Sequence, residues 1–240
     1  MNSNWLVLMS ACIFVGLFSS CSELDDPTKL DLNEVITVQT KKTVLSANGL
    51  DTTAVTAELT GDTPDGQLVT FKTDIGSFAG IPSNGTASNN STSISLNANA
   101  REASVFLISG IEEGTATVSA SVGNFTNISE VIFQRVNPDR IVLTSNRTEV
   151  PADGNSTVAL TVNLLLSNAL GTVTEKTRIL FRAENDSTGQ SVPALDRVAL
   201  SDNQGVATTS ITGTQQGRMR IISTVDGLNN LADTILVQFN

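Results

Sequence analysis

From Val35 onward the chain alternates apolar and polar residues over short runs. Thr53-Ala-Val-Thr-Ala-Glu-Leu59, Leu68-Val-Thr-Phe-Lys72, Ala103-Ser-Val-Phe-Leu-Ile108, Thr115-Ala-Thr-Val-Ser-Ala-Ser-Val122 and Glu130-Val-Ile-Phe-Gln134 each carry an apolar residue at every second position. Successive side chains point to opposite faces of a strand, so this period of two predicts half-buried β-strands. Ala47-Asn48-Gly49, Thr63-Pro64-Asp65-Gly66, Gly110, Gly114 and Gly123-Asn124 punctuate the runs with residues that favour turns. No helical period survives beyond a turn. Phe71, Phe106, Phe133, Phe181 and Phe239 fall on these runs and are expected in the core.

The pattern is then repeated. After Val136-Asn137-Pro138-Asp139, where Pro breaks a ladder and stiffens a link, come Arg140-Ile-Val-Leu-Thr144 and Val150-Pro-Ala-Asp-Gly-Asn-Ser-Thr157. Ala47-Asn48-Gly49 matches Ala152-Asp153-Gly154, Val55-Thr56-Ala57 matches Leu160-Thr161-Val162, and Phe71 matches Phe181. Ile108-Ser-Gly110 followed by Gly114 matches Ile211-Thr-Gly213 followed by Gly217; Ala116, Val118, Ala120 and Val122 match Met219, Ile221, Ser223 and Val225. Two copies of a roughly 100-residue unit stand in tandem, at residues 35–136 and 140–240. About seven short strands per unit, regular turns and no helix predict an all-β protein of two tandem immunoglobulin-like β-sandwiches.

Within the second copy, Ala152-Asp-Gly-Asn-Ser-Thr-Val-Ala-Leu-Thr-Val162, Thr177-Arg-Ile-Leu-Phe181, Ser201-Asp-Asn-Gln-Gly-Val-Ala-Thr208 and the alternating strand after Gly217 resemble the bacterial immunoglobulin-like domains of invasin and intimin adhesins. In the first copy Arg101-Glu102-Ala103 replaces the Asn-Gln-Gly-Val-Ala turn. The resemblance implies a structural, adhesive or protein-binding role.

Ahead of the sandwiches, Trp5-Leu-Val-Leu-Met-Ser-Ala-Cys-Ile-Phe-Val-Gly-Leu-Phe18 is followed at once by Ser19-Ser20-Cys21. As a helix this run would rise about 21 Å, short of the roughly 30 Å hydrocarbon core of a bilayer, so it reads as a secretion signal rather than a spanning helix. Phe18-Ser-Ser-Cys21 resembles the lipobox of bacterial lipoproteins, with Phe18 where Leu is usual and no Lys or Arg before the apolar run. Met9-Ser-Ala-Cys12 resembles one as well, with too few apolar residues before it. The lipoprotein resemblance implies a signal peptide at residues 1–20, acylation of Cys21 with palmitate-like chains, and a chain held on the outer membrane of the cell envelope through that residue. Residues 21–34 are polar and acidic and read as an extended tether. Ser22-Glu23-Leu24-Asp25-Asp26 also resembles the surface-export signal of Bacteroidetes-type lipoproteins; a solvated linker accounts for it equally.

Composition removes whole classes of function. With 14 Lys and Arg against 24 Asp and Glu, the net charge of −10 repels phosphate backbones, so nucleic acid is not an expected partner. The chain has no His and no Tyr; its Trp is Trp5 and its cysteines are Cys12 and Cys21. A Ser-His-Asp or Cys-His nucleophile, a His and Cys zinc site and a His-ligated haem therefore lack their residues, and no cofactor is expected.

What remains is carboxylate chemistry or none. Asp62, Asp65, Glu112 and Glu113 could in principle flank a glycosidic bond, but they fall in predicted turns, where solvent and turn geometry account for them. Asp202-Asn203-Gln204-Gly205 falls far short of a calcium loop, and no metal site is expected, although Asp139 and Asp226 could hold a structural ion between the sandwiches. Asp51-Thr52-Thr53, Asp186-Ser187-Thr188 and Asp233-Thr234-Ile235 resemble a bacterial O-glycosylation motif, which makes Thr52, Ser187 and Thr234 candidate sites. The stretches Ala79–Thr92 and Ala183–Pro193 read as long irregular loops.

The reading that results is a lipid-anchored, non-enzymatic envelope protein presenting its second sandwich to a protein partner, through an edge strand or loops. The alternative is a surface glycan-binding lipoprotein using sandwich loops; its weakness is the lack of Trp or Tyr after Cys21 to stack on sugar rings.

Overall fold

A computed structural model describes residues 35–60, 63–79, 91–168 and 170–240. The signal-like run, Cys21, the acidic stretch to Glu34, Asp62 and residues 80–90 of the first long loop lie outside the described residues. Leu32–Asn240 forms one compact unit. Among the described residues, no helix is long and apolar enough to cross a membrane.

The first sandwich comprises β1 (Ile36–Thr40), β2 (Val44–Ser46), β3 (Thr52–Leu59), β4 (Leu68–Thr73), β5 (Ser77–Ala79), β6 (Ser93–Asn97), β7 (Glu102–Ile108), β8 (Gly114–Val122) and β9 (Phe125–Gln134). One sheet runs β1-β3-β7-β5 and the other β2-β9-β8-β4-β6. The second sandwich comprises β10 (Arg140–Ser145), β11 (Glu149–Val150), β12 (Val158–Leu165), β13 (Arg178–Asn185), β14 (Arg197–Leu200), β15 (Val206–Ile211), β16 (Gly217–Val225) and β17 (Leu228–Phe239). Its sheets run β10-β12-β15 and β11-β17-β16-β13-β14. In each copy the opening segment changes sheets. β1 pairs antiparallel with β3 and β2 then runs parallel to β9; β10 and β11 do the same against β12 and β17.

Alternation explains why each sandwich has its own core. Val55, Ala57 and Leu59 of β3 face Val69 and Phe71 of β4 and Val131 and Phe133 of β9; Phe71 and Phe78 meet edge to face, with centroids 6.2 Å apart. The second core is separate, with Val158, Leu160 and Val162 against Ile179, Phe181, Met219 and Phe239. The repeat extends to hydrogen bonds at one end of each sandwich. Gly49 N–H donates to Gly110 O (3.2 Å) as Gly154 N–H does to Gly213 O (3.1 Å), and Ala47 N–H donates to Gln134 O (2.8 Å) as Ala152 N–H does to Asn240 O (2.7 Å).

Four expectations change. Phe106 is 42% exposed, because Val105 and Leu107 take the inward positions of β7 and alternation sends Phe106 outward. Ile108 is not the counterpart of Ile211: Leu107 pairs with Thr53 where Ile211 pairs with Val158, so the second copy is one residue shorter before its turn glycine. The supposed loop from Ala183 begins as strand, since β13 continues to Asn185, and includes a 3-10 turn at Pro193–Leu195 that buries Leu195. β9 starts earlier than Glu130, at Phe125, with an outward face exposed enough to mask the alternation.

Candidate functional site: the interdomain seam

The connection between β12 and β13 lies across the end of the first sandwich. Alternation operates here outside any strand: Val173 is buried in the second core, while Thr172 and Thr174 on either side of it bond to the first sandwich. Thr172 N–H donates to Asn48 O (3.0 Å), Thr174 N–H to Val136 O (3.2 Å) and Glu175 N–H to Ile111 O (2.9 Å). Three separate parts of the first sandwich are thus gripped by one short segment.

Thr174 is the centre of the seam. It is only 1% exposed; its hydroxyl accepts from Val136 N–H (2.7 Å) and donates to Ala47 O (3.1 Å), tying the linker and the turn after β2 to the second sandwich. Its own position is fixed from behind, where its carbonyl accepts from Thr177 Oγ1 (2.6 Å) and Thr177 N–H donates to Ser201 Oγ (3.0 Å). Gly171 allows the approach: it has φ +82°, and a Cβ there would lie 2.4 Å from Asn48 O.

Charges rim the seam. Arg135 makes a two-pronged pair with Glu113, Nε to Oε2 at 3.0 Å and Nη2 to Oε1 at 2.7 Å, and also donates to Thr177 Oγ1 (3.3 Å). Lys176 pairs with Glu112 across the two sandwiches and with Glu175 beside it. The Arg135 hydrogen bond holds the Glu113 carboxyl below its usual range, the Lys176 hydrogen bond does the same to Glu112, and the Lys176 ammonium is pushed up by Glu112 first and Glu175 second. These groups are exposed, so the pairs orient the seam more than they stabilise it. A catalytic acid needs a raised pKa, whereas both carboxyls here are lowered by contacting cations.

The other candidate residues do not converge on this place. Asp65 accepts from Gly66 and Arg101 N–H (2.9 and 3.0 Å) at the far end of the first sandwich, holding Arg101 at φ +64°. Asp139 accepts from Ser167 N–H (2.9 Å) while Asp226 pairs with Arg178 (2.8 Å), so the two acids proposed for a junction ion serve separate partners. Asp202 spends one carboxylate oxygen on Gln204 and Val206 N–H within its own turn. Among the described residues, no three His, Cys, Asp or Glu side chains cluster as a metal site would require. Thr52, Ser187 and Thr234 are all exposed; Ser187 Oγ donates to Asn185 Oδ1 (2.7 Å), and Asp233, next to Thr234, accepts from Leu143 N–H (2.7 Å).

No family model and no curated protein matches the sequence. Solved structures do. The chain is similar to the adhesin InvE of Yersinia pseudotuberculosis, with a TM-score of 0.58 at 16% identity over 88% of this chain and 60% of that one. It is also similar to invasin, a bacterial integrin-binding protein, with a TM-score of 0.59 at 19% identity over 85% of this chain and 39% of that one. The chain therefore spans under two thirds of either protein, and at these identities the likeness establishes the fold alone: two tandem immunoglobulin-like β-sandwiches.

Proposed function

We propose that this pair of invasin-like sandwiches is a rigid, non-enzymatic spacer of the cell envelope that carries an adhesive surface to a protein partner. The observation behind the reading is the seam. A flexible linker would need none of its buried hydrogen bonds, whereas a stalk that transmits position and force needs the two modules to move as one. The strand directions support the geometry: β1 enters at the end of the first sandwich remote from the seam, and the connections at residues 146–148, 151–157, 186–190 and 212–216 stand at the remote end of the second. Anchoring through a lipidated Cys21, with residues 1–20 removed and 21–34 as tether, is the placement the lipobox resemblance supports; the sandwich boundaries at 35–136 and 140–240 belong to the same reading. Adhesion by relatives of the same fold supports the protein partner.

Two experiments bear on this. Labelled palmitate should enter the chain in its native host and fail to enter Cys21→Ser, which should leave the membrane fraction; a fully membrane-bound Cys21→Ser chain would refute the anchor. Protease shaving of intact cells should then release the sandwiches if they face outward. A glycan array gives the rival its test, since specific binding there would replace the protein partner with a sugar. Modification at Thr52, Ser187 or Thr234 would appear as hexose-sized mass increments on the corresponding peptides.

A further inference from the structure

One edge of the first sandwich is an open strand. β6 ends the sheet β2-β9-β8-β4-β6, and β4 is its one neighbour there. Thr73 N–H donates to Thr92 O (3.0 Å) and Ala98 N–H to Gln67 O (2.8 Å), which fixes the ladder: Ile94 and Leu96 turn their backbone groups to β4, and Ser93, Ser95 and Asn97 turn theirs away. Ser91 Oγ serves Ser93, donating to its carbonyl (2.6 Å) and accepting from its N–H (3.2 Å). Among the described residues, nothing serves the backbone N–H and C=O of Ser95 and Asn97, which are both exposed.

A row of unpaired backbone groups invites another strand, and sheet edges are ordinarily blunted by Lys, Pro, a bulge or an inward-pointing charge. The second sandwich has such a guard in the matching place. Arg197 of β14 stands opposite Phe181 and folds over the flank, donating from Nε to Ser210 O (3.3 Å) and from Nη1 to Ala194 O (3.0 Å). Its counterpart opposite Phe71 is Ile94. β6 holds no charge and no Pro, and its register with β4 is unbroken. Ile94 and Leu96 are only half-buried against the first core, so the open edge also leaves apolar surface uncovered.

We infer that a second copy of the chain occupies this edge, β6 against β6 in antiparallel pairing about a two-fold axis at Leu96. The unused groups select that register. Ser95 of each copy then exchanges N–H···O bonds with Asn97 of the other, so every open donor and acceptor of the edge is met while Ser93 keeps its bonds to Ser91. Leu96 meets its own copy in a non-hydrogen-bonded pair, the closer antiparallel spacing at about 4.5 Å between Cα atoms, which covers its apolar surface. Charge names the occupant. The chain carries a net charge of −10, yet residues 75–100 contain no Asp, Glu, Lys or Arg, so two acidic copies meet on this flank without like-charge repulsion. One patch meets itself, so the contact is isologous and stops at a dimer, joining two five-stranded sheets into one. With about 17 Å of strand and about 10 Å between sheets, the patch is far below the roughly 800 Å2 per partner of a standard interface, so the dimer is weak in solution and suits copies held close together. The inference stands whether or not the chain is lipid-anchored.

The test is sedimentation of the compact unit, residues 32–240, over a concentration series reaching about 1 mM, at physiological salt, where repulsion beyond about 8 Å is screened. The weight-average mass should rise and level at twice that of the unit. Ser95→Pro should weaken the association by about tenfold or more and leave the unit folded by circular dichroism, because Pro is tolerated where the lost N–H faces away from the sheet. Ser95→Lys with Asn97→Lys, and Ser95→Glu with Asn97→Glu, change only exposed side chains. Each of these variants alone should be monomeric, and their equimolar mixture should pair, since lysine then faces glutamate across the axis. Should Ser95→Pro not fold, the mixture decides. A parent that stays monomeric throughout, a folded Ser95→Pro unit that associates as the parent does, or a mixture that fails to pair overturns the inference. A monomeric parent whose β6 amide resonances shift on adding an uncharged peptide of alternating Ser and Ile also overturns it, by giving the edge to a foreign strand.

Discussion

Replacing Thr174 by Val isolates the seam from everything else in the fold. The substitution keeps shape and volume but removes the hydroxyl that Val136 N–H donates to and that Ala47 O accepts from. Each of the two orphaned backbone groups costs about 1 to 3 kcal/mol when it cannot reach water, so the docked arrangement should lose about 2 to 6 kcal/mol. That is a shift of about thirtyfold to about ten-thousandfold toward the undocked arrangement, at about 1.4 kcal/mol per tenfold. Because the two cores share no buried residue, this loss should appear as relative motion rather than as unfolding of either sandwich. Residues 32–240 contain no cysteine, so Lys72→Cys on β4 and Thr208→Cys on β15, both exposed, take spin labels uniquely. Double electron–electron resonance should give one narrow distance distribution for the parent and a distribution at least twice as broad for Thr174→Val, with Thr174→Ser staying narrow because it keeps the hydroxyl. Equal widths for parent and Thr174→Val would refute the reasoning.

Other consequences are independent of that one. Glu112 and Glu113 titrate below their ordinary value near 4.5, so their pairs contribute fully above that value and are lost as pH falls through the lowered folded pKa; the same spin-label distance should be unchanged from neutral pH to about pH 5 and broaden only below about pH 4. Gly205→Ala, at φ +76° with its new Cβ 3.0 Å from Leu164 O, should destabilise the second sandwich by about 1 to 3 kcal/mol in urea unfolding, with the first unaffected. Phe181→Ala should cost about 3 to 5 kcal/mol, whereas Phe106→Ala should cost under about 1 kcal/mol because alternation places that ring outside the core.

Where burial follows a period of two, the sequence is a good guide to the fold. Val55, Ala57 and Leu59, or Ile179, Phe181 and Ala183, declare their strands because every second side chain must leave water. The tandem copies are equally plain, because Asn48 and Asp153 close the same turn with the same side-chain geometry, each accepting backbone N–H groups two and three residues on. Phe106 misleads because composition says aromatic and buried while position says outward, and position decides. Short edge strands such as β5 and β14 are missed since so few residues carry no measurable period.

The seam was invisible for a deeper reason. Its acceptors are the backbone carbonyls of Ala47, Asn48, Ile111 and Val136, which any side chain could supply, and its donors sit in Gly171-Thr-Val-Thr-Glu-Lys-Thr177, which reads as a polar loop. One clue was present. The connection at residues 166–177 is longer than its counterpart at 60–67, so the second copy carries extra chain where it meets the first. The charged rim is legible only as Glu112 and Glu113 in a turn, with nothing in the sequence to show that Arg135 and Lys176 neutralise them.

Nitrogen-15 relaxation of residues 32–240 asks directly whether the two sandwiches tumble together. If the seam joins them, the amides of β3 and β7 and those of β12 and β16 fit one anisotropic diffusion tensor with one overall correlation time, that of the whole unit. Separate tensors, each with the shorter correlation time of a single sandwich, would contradict the account.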